Sequence, residues 1–215
     1  MVLSDTMTPR KTISGPSTVR EKILQEAKRL FRKKGFEGVS LNEIVTKSDV
    51  KKPTIYHYFG DKEGLFVEIL IRMLQQGQLY IRNNNKPGQT LRRNLQDLAA
   101  GYIKYSPTSM MAMLRDADEY LSEDSKQRVL KAYDEYIIQP LTELFDEGIA
   151  CGEIKSEKIK SGEAKITSSR QLAYIFIGLI DSSKTHQNNS AILPDNKTLI
   201  TAELLINTMF DGISV

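Results

Sequence analysis

The sequence has one cysteine, two histidines and no tryptophan among its 215 residues. The single cysteine, Cys151, excludes an internal disulfide framework and is typical of a protein in a reducing cytoplasm. The longest apolar stretch without a charge, Gln171 to Ile180, is far shorter than the roughly 20 residues of a membrane-spanning helix. The N-terminal residues lack the apolar segment of a secretion signal. We therefore expect a cytoplasmic protein with no membrane association.

Residue patterns that carry catalysis are also missing. The two histidines lie far apart, and there is no metal-ligand spacing, glycine-rich phosphate loop or nucleophile motif. Acidic pairs such as Asp116/Glu119 and Glu143/Glu147 have helical spacing that suits surface ion pairs as well as acid–base chemistry. The sequence thus predicts a protein that is not an enzyme and that uses no cofactor or metal.

The charged residues are present but unevenly distributed. Residues 10–60 contain 12 Lys or Arg and 5 Asp or Glu, a net charge of +7, so the rest of the chain carries −4 of the total of +3. This asymmetry favours a basic module that binds a polyanion, joined to a module that does not. A basic helix face exposed to solvent would give the same charge, so the charge alone leaves both interpretations open.

Apolar residues recur at helical spacing along most of the chain, which predicts an all-α fold of about nine helices. Capping patterns mark helix starts at Thr18, Ser40 and Asp61, and Pro53 suits the first turn of another helix. Pro140 should kink or split the helix that contains it, whereas residues 153–167 and 188–194 read as loops. Helices are expected at about 18–34, 40–48, 53–59, 61–81, 90–105, 108–121, 123–150, 168–186 and 197–211, with Pro107 between the fifth and sixth and Ser122 capping the seventh.

Residues 40–59 place two short helices around a tight turn, the layout of a helix-turn-helix. Lys51 and Lys52 fall at the positive end of the second helix, where cations are disfavoured unless an anion such as DNA phosphate is near. Thr54, Tyr56 and His57 follow on the same helix and offer groups for base edges and phosphates. This pattern predicts a recognition helix that enters the major groove.

The run SLNEIVTKSDVKKPTIYHYFGDKEGLFVEIL, preceded by AKRLFRKKGFEGVS, resembles the DNA-binding segment of the TetR family of bacterial transcriptional regulators. The resemblance covers roughly residues 17–75 and depends on the combination of Ser40, Val50, Tyr56, Phe59 and Lys62. It departs from the family pattern in the turn, where a common glycine is Asp49 and the usual small helix cap is Lys51. Base preference therefore cannot be carried over from a relative.

The resemblance implies specific roles for residues of this segment. Ser40, Tyr56 and Lys62 would bind phosphate, Lys52, Pro53 and Thr54 would face the bases, and Asn42 would reach a base edge. Six apolar residues would form the core of the small domain, namely Phe31, Ile44, Val50, Ile55, Phe59 and Leu65. Tyr58 could belong to either group.

Apolar groups surround the predicted helices at 168–186 and 197–211 almost completely, whereas a surface helix needs an apolar stripe only about 100° wide. The two helices therefore need a second burial surface, which a homodimer or the centre of a monomer core would supply. Methionines and tyrosines between residues 102 and 136 suit an adaptable apolar pocket or ordinary core. In TetR-like proteins this region holds an inducer pocket, which implies a largely apolar ligand lined by Tyr102, Met110, Met113, Tyr136 and Phe176.

The predicted organisation has three parts: a flexible arm (1–16), a helix-turn-helix DNA-binding domain (17–62), and a ligand-binding and dimerisation domain (63–215). The predicted function is that of a regulator, most simply a repressor, that leaves its double-stranded DNA operator when a small-molecule inducer binds. A dimeric helical ligand carrier without DNA regulation is the alternative.

Overall fold

The computed structural model of the chain describes residues 18–105, 110–154, 168–188 and 202–214. Within these ranges every regular element is helical, which confirms the all-α prediction. The helices are α1 (Val19–Lys34), α2 (Leu41–Ser48), α3 (Lys52–Phe59), α4 (Lys62–Asn84), α5 (Leu91–Tyr105), α6 (Met110–Tyr120), α7 (Glu123–Tyr133), α8 (Gln139–Ala150), α9 (Ser169–Asn188) and α10 (Ala202–Ser214), with a π-helical turn (Asp134–Ile138) between α7 and α8.

Several sequence predictions concern residues outside the described ranges. These are the arm at 1–16, the separating role of Pro107, most of the loop at 153–167, the loop at 189–194, and the start of the last helix before residue 202. The other predicted helices are present, with ends that differ by a few residues.

Side-chain caps begin α1, α2 and α4, as the capping patterns predict. The Thr18 hydroxyl accepts a hydrogen bond from the Glu21 amide at 3.3 Å, and Ser40 accepts one from the Glu43 amide at 3.2 Å. The Asp61 carboxylate accepts one from the Gly64 amide at 2.7 Å. The predicted cap at Ser122 is wrong in its side-chain role, because no side-chain cap bond forms at α7 and the hydroxyl donates to another residue, described below.

Pro140 interrupts the long predicted helix at 123–150 through a change of hydrogen-bond register. Proline has no amide hydrogen to donate, and the backbone before it winds as a π turn in which the Gln139 amide bonds to the Asp134 carbonyl. In that register the next carbonyl, of Glu135, would need the amide that Pro140 lacks. The Gln78 side chain of α4 donates to this carbonyl at 3.5 Å. The helical backbone therefore continues from α7 through the π turn into α8, and the Gln78 side chain bonds to the carbonyl that Pro140 leaves without an amide.

The buried apolar residues form two clusters joined by α4. The cluster we call the head core holds residues of α1–α3 and the first half of α4, including Phe31, Ile44 and Ile55, each at most 2% exposed. The cluster we call the body core lies among α4, α5, α8, α9 and α10 and contains Leu74, farther along α4. All six core residues predicted for the small domain belong to the head core or pack against it.

The head core extends beyond the segment that the sequence assigned to the small domain. Met113 and Ala117 of α6, together with Leu121 and Val129, are buried in it beside the aromatic residues of the head. At the centre the Phe31 and Phe66 rings meet edge to face, with 4.9 Å between centroids. The head is therefore packed directly onto α6 and α7, so the two parts of the molecule share a continuous apolar contact.

Candidate DNA-binding surface and ligand cavity

Two short helices and a left-handed turn residue set the direction of α3. Asp49 ends α2 with φ 52° and ψ 51°, a conformation that Asp adopts more readily than most residues. The chain then returns to extended backbone at Lys51, and the Thr54 amide bonds to the Lys51 carbonyl at 2.9 Å as α3 begins. Ile55, with no exposed surface, anchors the inner face of α3 in the head core. The remaining faces of α3 therefore project outward.

The outward surface of α3 carries most of the residues predicted to contact DNA. Lys51, Lys52, Pro53, Tyr56 and His57 are exposed, and Thr54 is half-buried. Tyr56 keeps 46% of its surface accessible, which is unusual for a large aromatic side chain unless a partner covers it. The Lys52 ammonium lies 5.9 Å from the centroid of the Tyr56 ring, so the two side chains form one cationic and aromatic surface.

Tyr58 belongs to this surface and not to the core, a question that the sequence left open. It is 42% exposed and its ring lies 5.2 Å from that of His57. On α2, Asn42 is exposed and the Ser40 hydroxyl caps the helix at the edge of the same surface. No side chain caps the start of α3, since Lys51 occupies the cap position. A helix start without a side-chain cap has amides available to an external anion.

Lys62 lies apart from the recognition helix, beside the Phe36 ring. Its ammonium sits 4.3 Å above the centroid of the Phe36 ring, and it is half-buried. Burial lowers the pKa of Lys62, and the nearby Glu37 carboxylate partly offsets that shift. The predicted phosphate contact would require this side chain to leave the ring and extend toward DNA.

The joint between the head and the body is built from hydrogen bonds between α6, α7 and the head. The Phe36 amide donates to the Asp116 carboxylate at 2.7 Å, and the Phe36 ring stacks on Tyr120 with 6.1 Å between centroids. The Glu63 carboxylate accepts hydrogen bonds from the hydroxyl of Ser122 and from its amide, the latter at 3.2 Å. Bonds from Ser122 and Ser125 lower the pKa of Glu63, so its charged form holds the joint at neutral pH. We refer to these contacts of Asp116, Tyr120, Phe36, Glu63 and Ser122 as the joint.

A nearly apolar cavity lies in the body, between α4, α5, α6, the π turn, α8 and α9. Its volume of about 70 Å³ is well below the roughly 300 Å³ of a typical ligand pocket. A ligand of ordinary size must therefore widen it by moving a wall. The lining residues are Gly77, Tyr80, Ile81, Leu98, Tyr102, Met110, Ile137, Leu141, Phe176, Ile177 and Ile180.

One end of the cavity is polar because of a buried carboxylate behind the Tyr102 phenol. Asp181 of α9 is 6% exposed and accepts a hydrogen bond from the Tyr102 hydroxyl. The same hydroxyl accepts a hydrogen bond from the Met110 amide at 3.2 Å. Tyr102 thus connects the first residue of α6 to a charged group of α9.

The N-terminal part of the chain matches the family described as bacterial regulatory proteins, tetR family, over residues 23–69. The matched range begins within α1, contains α2, the turn and α3, and ends within α4. This chain belongs to the TetR family. It is therefore a DNA-binding regulator of transcription, and its exposed α3 is the helix that the helix-turn-helix layout assigns to the major groove.

Curated transcriptional regulators resemble this chain over different lengths. YfiR, an uncharacterised HTH-type regulator of Bacillus subtilis, is 26% identical over 160 residues, which are 69% of this chain and 74% of YfiR. YhgD, another uncharacterised HTH-type regulator of Bacillus subtilis, is 21% identical over 165 residues, which are 76% of this chain and 84% of YhgD. Six other curated regulators match over 50 to 77 residues, less than two fifths of their own length.

Two solved structures share the complete fold of this TetR-family chain. The reduced form of Escherichia coli NemR superposes with a TM-score of 0.68 at 17% identity, covering 92% of this chain and 96% of NemR. FadR of Bacillus subtilis, solved in complex with stearoyl-CoA, has a TM-score of 0.64 at 19% identity, covering 90% of this chain and 97% of FadR. At these identities the likeness concerns the fold.

The structure brings together three of the five residues predicted to line a ligand pocket in this TetR-family regulator. Tyr102, Met110 and Phe176 lie on the cavity wall. Met113 does not, because it is buried in the head core, and Tyr136 lies outside the lining with its hydroxyl 3.5 Å from the Gln75 amide nitrogen.

The sequence reasoning missed the contribution of α4 to the cavity. Gly77, Tyr80 and Ile81 form one of its walls, and a Cβ at position 77 would come within 2.6 Å of the Ile137 Cδ1, so that side chain would have to shift. The spacing of these residues is helical, but nothing in the sequence distinguished their face of α4 from an ordinary core face.

The described ranges of this TetR-family chain show neither a membrane helix nor a metal centre. None of the helices there combines the length and apolar character needed to cross a bilayer. Within the same residues, no three His, Cys, Asp or Glu side chains converge as metal ligands.

Proposed function

We propose that this TetR-family regulator is a homodimeric repressor that releases its operator when a small, mainly apolar ligand enters the body cavity. The supporting observation is the position of α6. This helix begins with Met110 on the cavity wall and ends with Tyr120 against the Phe36 ring of the head. Its 11 residues span about 16 Å, so it links the cavity to the DNA-binding part directly.

The small volume of the cavity supports a mechanical account of release. A ligand that exceeds the available space must displace a wall, and Met110 is the first residue of a short helix whose far end contacts the head at the joint. Movement of α6 would act on the Asp116 carboxylate and thus on the loop that follows α1. We infer that the two recognition helices of the dimer then no longer match half-sites about one helical turn of DNA apart.

The proposed contacts with phosphates and bases follow from the exposure and the chemistry of each side chain. Tyr56 and Ser40 would contact phosphate, and so would Lys62 after it leaves the Phe36 ring. Lys52, Pro53 and Thr54 would face base edges together with Asn42, while Lys51 and His57 would lie beside them. The head (17–62) and body (63–215) are proposed as DNA-binding and ligand-binding domains that share α6 and α7 contacts.

Selection of bound sequences from random double-stranded DNA is the test of this function. We expect one inverted repeat to be enriched, with binding that weakens as salt concentration rises. Repetition of the selection with candidate ligands would identify those that release DNA. Tight ligand binding without salt-dependent DNA binding would instead support the ligand-carrier alternative.

Two single substitutions on α3 should separate phosphate contacts from base contacts. Tyr56→Phe removes a phenol hydroxyl and should weaken binding to specific and random DNA alike by roughly 3- to 10-fold. Thr54→Ala should instead change the preferred base at one position of each half-site. Titration of labelled operator and of single-base variants at fixed salt measures both effects. Equal loss on all sequences for Thr54→Ala would contradict its role in base recognition.

The proposed dimer interface lies on the outer faces of α9 and α10. Leu172, Ala173 and Phe176 bury one face of α9 in the body core, yet Tyr174 on the other side remains 47% exposed. Leu204 of α10 is 50% exposed in the same way. These helices present a second apolar face that an identical pair of helices from another chain would cover.

Introducing charge on this face should prevent dimerisation. We expect Leu204→Glu to shift the mass measured by light scattering from about twice 24.3 kDa toward 24.3 kDa, because a buried unpaired carboxylate opposes association. Leu130→Glu is the matched control, since Leu130 is 54% exposed but belongs to α7, which is not part of the proposed interface. A wild-type mass of 24.3 kDa at micromolar concentration would exclude the dimer.

A further inference from the structure

The recognition helix α3 is held to the head at two points. Ile55 is the only buried residue among its eight, and Phe59 at its last position is half-buried against the head core. A short helix fixed by one side chain can still tilt about that side chain. The second contact, at Phe59, therefore decides the direction in which the exposed face of α3 points.

The Phe59 ring is covered by a cation from α1. The Arg20 guanidinium carbon lies 5.4 Å from the centroid of this ring. A guanidinium over an aromatic face is attracted by the ring electrons, and its flat surface packs against the ring. Arg20 thus joins the first turn of α1 to the last residue of the recognition helix.

Three further charged side chains hold the Arg20 guanidinium in this position. Its Nη2 donates to the Glu68 carboxylate of α4 at 2.9 Å, and the Arg72 Nε donates to the same oxygen at 2.7 Å. The Arg72 Nη1 also donates to both carboxylate oxygens of Glu21, at 2.8 and 2.9 Å. Two arginines and two glutamates thus form one network across α1 and α4, and the Phe59 ring lies at its end.

The exposure of this network separates its effect on geometry from its effect on stability. The four side chains keep between 32% and 40% of their surface accessible. Ion pairs with this much contact with water add little to the stability of a fold, because water solvates the separated charges well. Ordered side chains can nevertheless fix the orientation of a binding element, which lowers the entropic cost of binding. The network is therefore better suited to orienting α3 than to stabilising the head.

We propose that Arg20 is a positioning residue of the DNA-binding surface, which sets the direction of α3 through the Phe59 ring and is itself oriented by Glu68. The inference rests on the proposed function, since it assumes that α3 reads the operator. Loss of either Arg20 or Glu68 then lowers the preference for the operator sequence while the fold remains stable. A phosphate contact by Arg20 would have the opposite consequence at position 68, because removing a neighbouring carboxylate favours the approach of DNA.

The variants Arg20→Met and Glu68→Gln, each titrated with two DNA duplexes, test this proposal. One duplex carries the sequence enriched in the selection described above, and the other has the same length and composition in scrambled order. We expect both variants to reduce the ratio of the two affinities at least roughly 5-fold at fixed salt, through weaker binding to the enriched sequence. An unchanged ratio in either variant would overturn the proposal. For Arg20→Met, an equal loss on both duplexes would identify a phosphate contact instead.

Arg29→Met is the matched control. Arg29 belongs to the same helix and donates to Glu26 from Nε at 3.1 Å and from Nη2 at 2.9 Å, about 13 Å along the helix axis from Arg20. Its replacement removes the same charge and an ion pair, so the ratio should stay within about 2-fold of the wild-type value, because a general loss of charge acts on both duplexes alike. The melting temperature of all three variants should fall by no more than about 4 °C. A much larger fall in Arg20→Met would show that the network supports the whole fold, which contradicts the proposal.

Hydrogen exchange in the DNA-free protein gives a second measurement that does not depend on the operator. Amides of α3 should exchange at least about 5-fold faster in Arg20→Met, because the helix loses its anchor at Phe59, whereas amides of α2 should be unaffected. Equal protection of α3 in the variant and in the wild type would refute the positioning role. If the wild-type protein showed no sequence preference at all, the proposed function would fail, and the exchange rates would still decide the role of Arg20.

Discussion

Replacing both Lys51 and Lys52 with glutamate should lower affinity for operator DNA at least roughly 100-fold and make the remaining binding less sensitive to salt. Both side chains are exposed at the start of α3, and neither makes an ion pair among the described residues. Each reversal removes a phosphate or base contact and adds like charge beside the polyanion. The positive end of the helix dipole lies at the same place, so in the wild-type protein the dipole and the two lysines attract phosphate together.

The control for this experiment reverses two charges elsewhere in the head. Arg29 and Lys33 are exposed on the outer face of α1, so Arg29→Glu with Lys33→Glu changes the net charge by the same amount. We expect a loss of less than about 5-fold from this pair, measured by fluorescence anisotropy across a series of salt concentrations. If both double variants lost affinity equally, binding would depend on overall charge and α3 would not be the recognition helix.

Removal of the Asp116 carboxylate should uncouple ligand binding from the release of operator DNA. In Asp116→Ala the Phe36 amide loses its acceptor at 2.7 Å, so α6 loses its hydrogen bond to the loop between α1 and α2. Couplings between two ligands in regulated proteins are commonly 5- to 150-fold. We expect the reduction of operator affinity by a saturating inducer to fall below about 3-fold in this variant. Ligand affinity should stay near the wild-type value, because Asp116 does not line the cavity.

Two further substitutions separate this coupling from a general loss of stability. Asp116→Asn keeps an oxygen that can accept the Phe36 amide and should retain most of the release. Asp118→Ala removes an exposed carboxylate from the same helix and should leave release unchanged. The orphaned amide in Asp116→Ala is expected to cost about 1–3 kcal/mol of stability, which thermal unfolding would detect. Undiminished release by Asp116→Ala would show that the signal travels by another route.

The coupling has a thermodynamic consequence that is independent of the route. A ligand that weakens DNA binding must itself bind the DNA complex more weakly by the same factor. Calorimetric titration of ligand into free and operator-bound protein measures that factor. Equal affinity in both states would exclude release by ligand, whatever the position of α6.

Local structure in the head could be read from the sequence because it depends on residues close together in the chain. The caps at Thr18, Ser40 and Asp61 each bond to an amide three residues later, so a three-residue pattern is sufficient to predict them. The left-handed conformation of Asp49 likewise follows from its place between two short helices. The six residues predicted for the core of the small domain all lie in the head core or against it for the same reason, since helical periodicity marks one inward face.

Contacts between distant segments could not be read in this way. Met113 and Tyr102 both occur in a region rich in methionine and tyrosine, yet one completes the head core and the other forms the cavity. Their separation depends on how α5 and α6 pack against helices that are distant in the sequence, and a local pattern contains no information on that packing. The Ser122 side chain shows the same effect, because the Glu63 carboxylate, 59 residues away, takes the hydroxyl that the local pattern assigned to a cap.

By itself the sequence indicated an all-α chain of the TetR family, with a basic head and a predicted recognition helix at about 53–59. Periodicity, capping and charge patterns depend on residues close together in the sequence, so they can be read before the tertiary packing is known. Only the tertiary structure decided that the head rests on α6 and that a buried carboxylate adjoins an apolar cavity. Asp181 and Tyr102 are 79 residues apart, and burial of a charge is a property of everything packed around it.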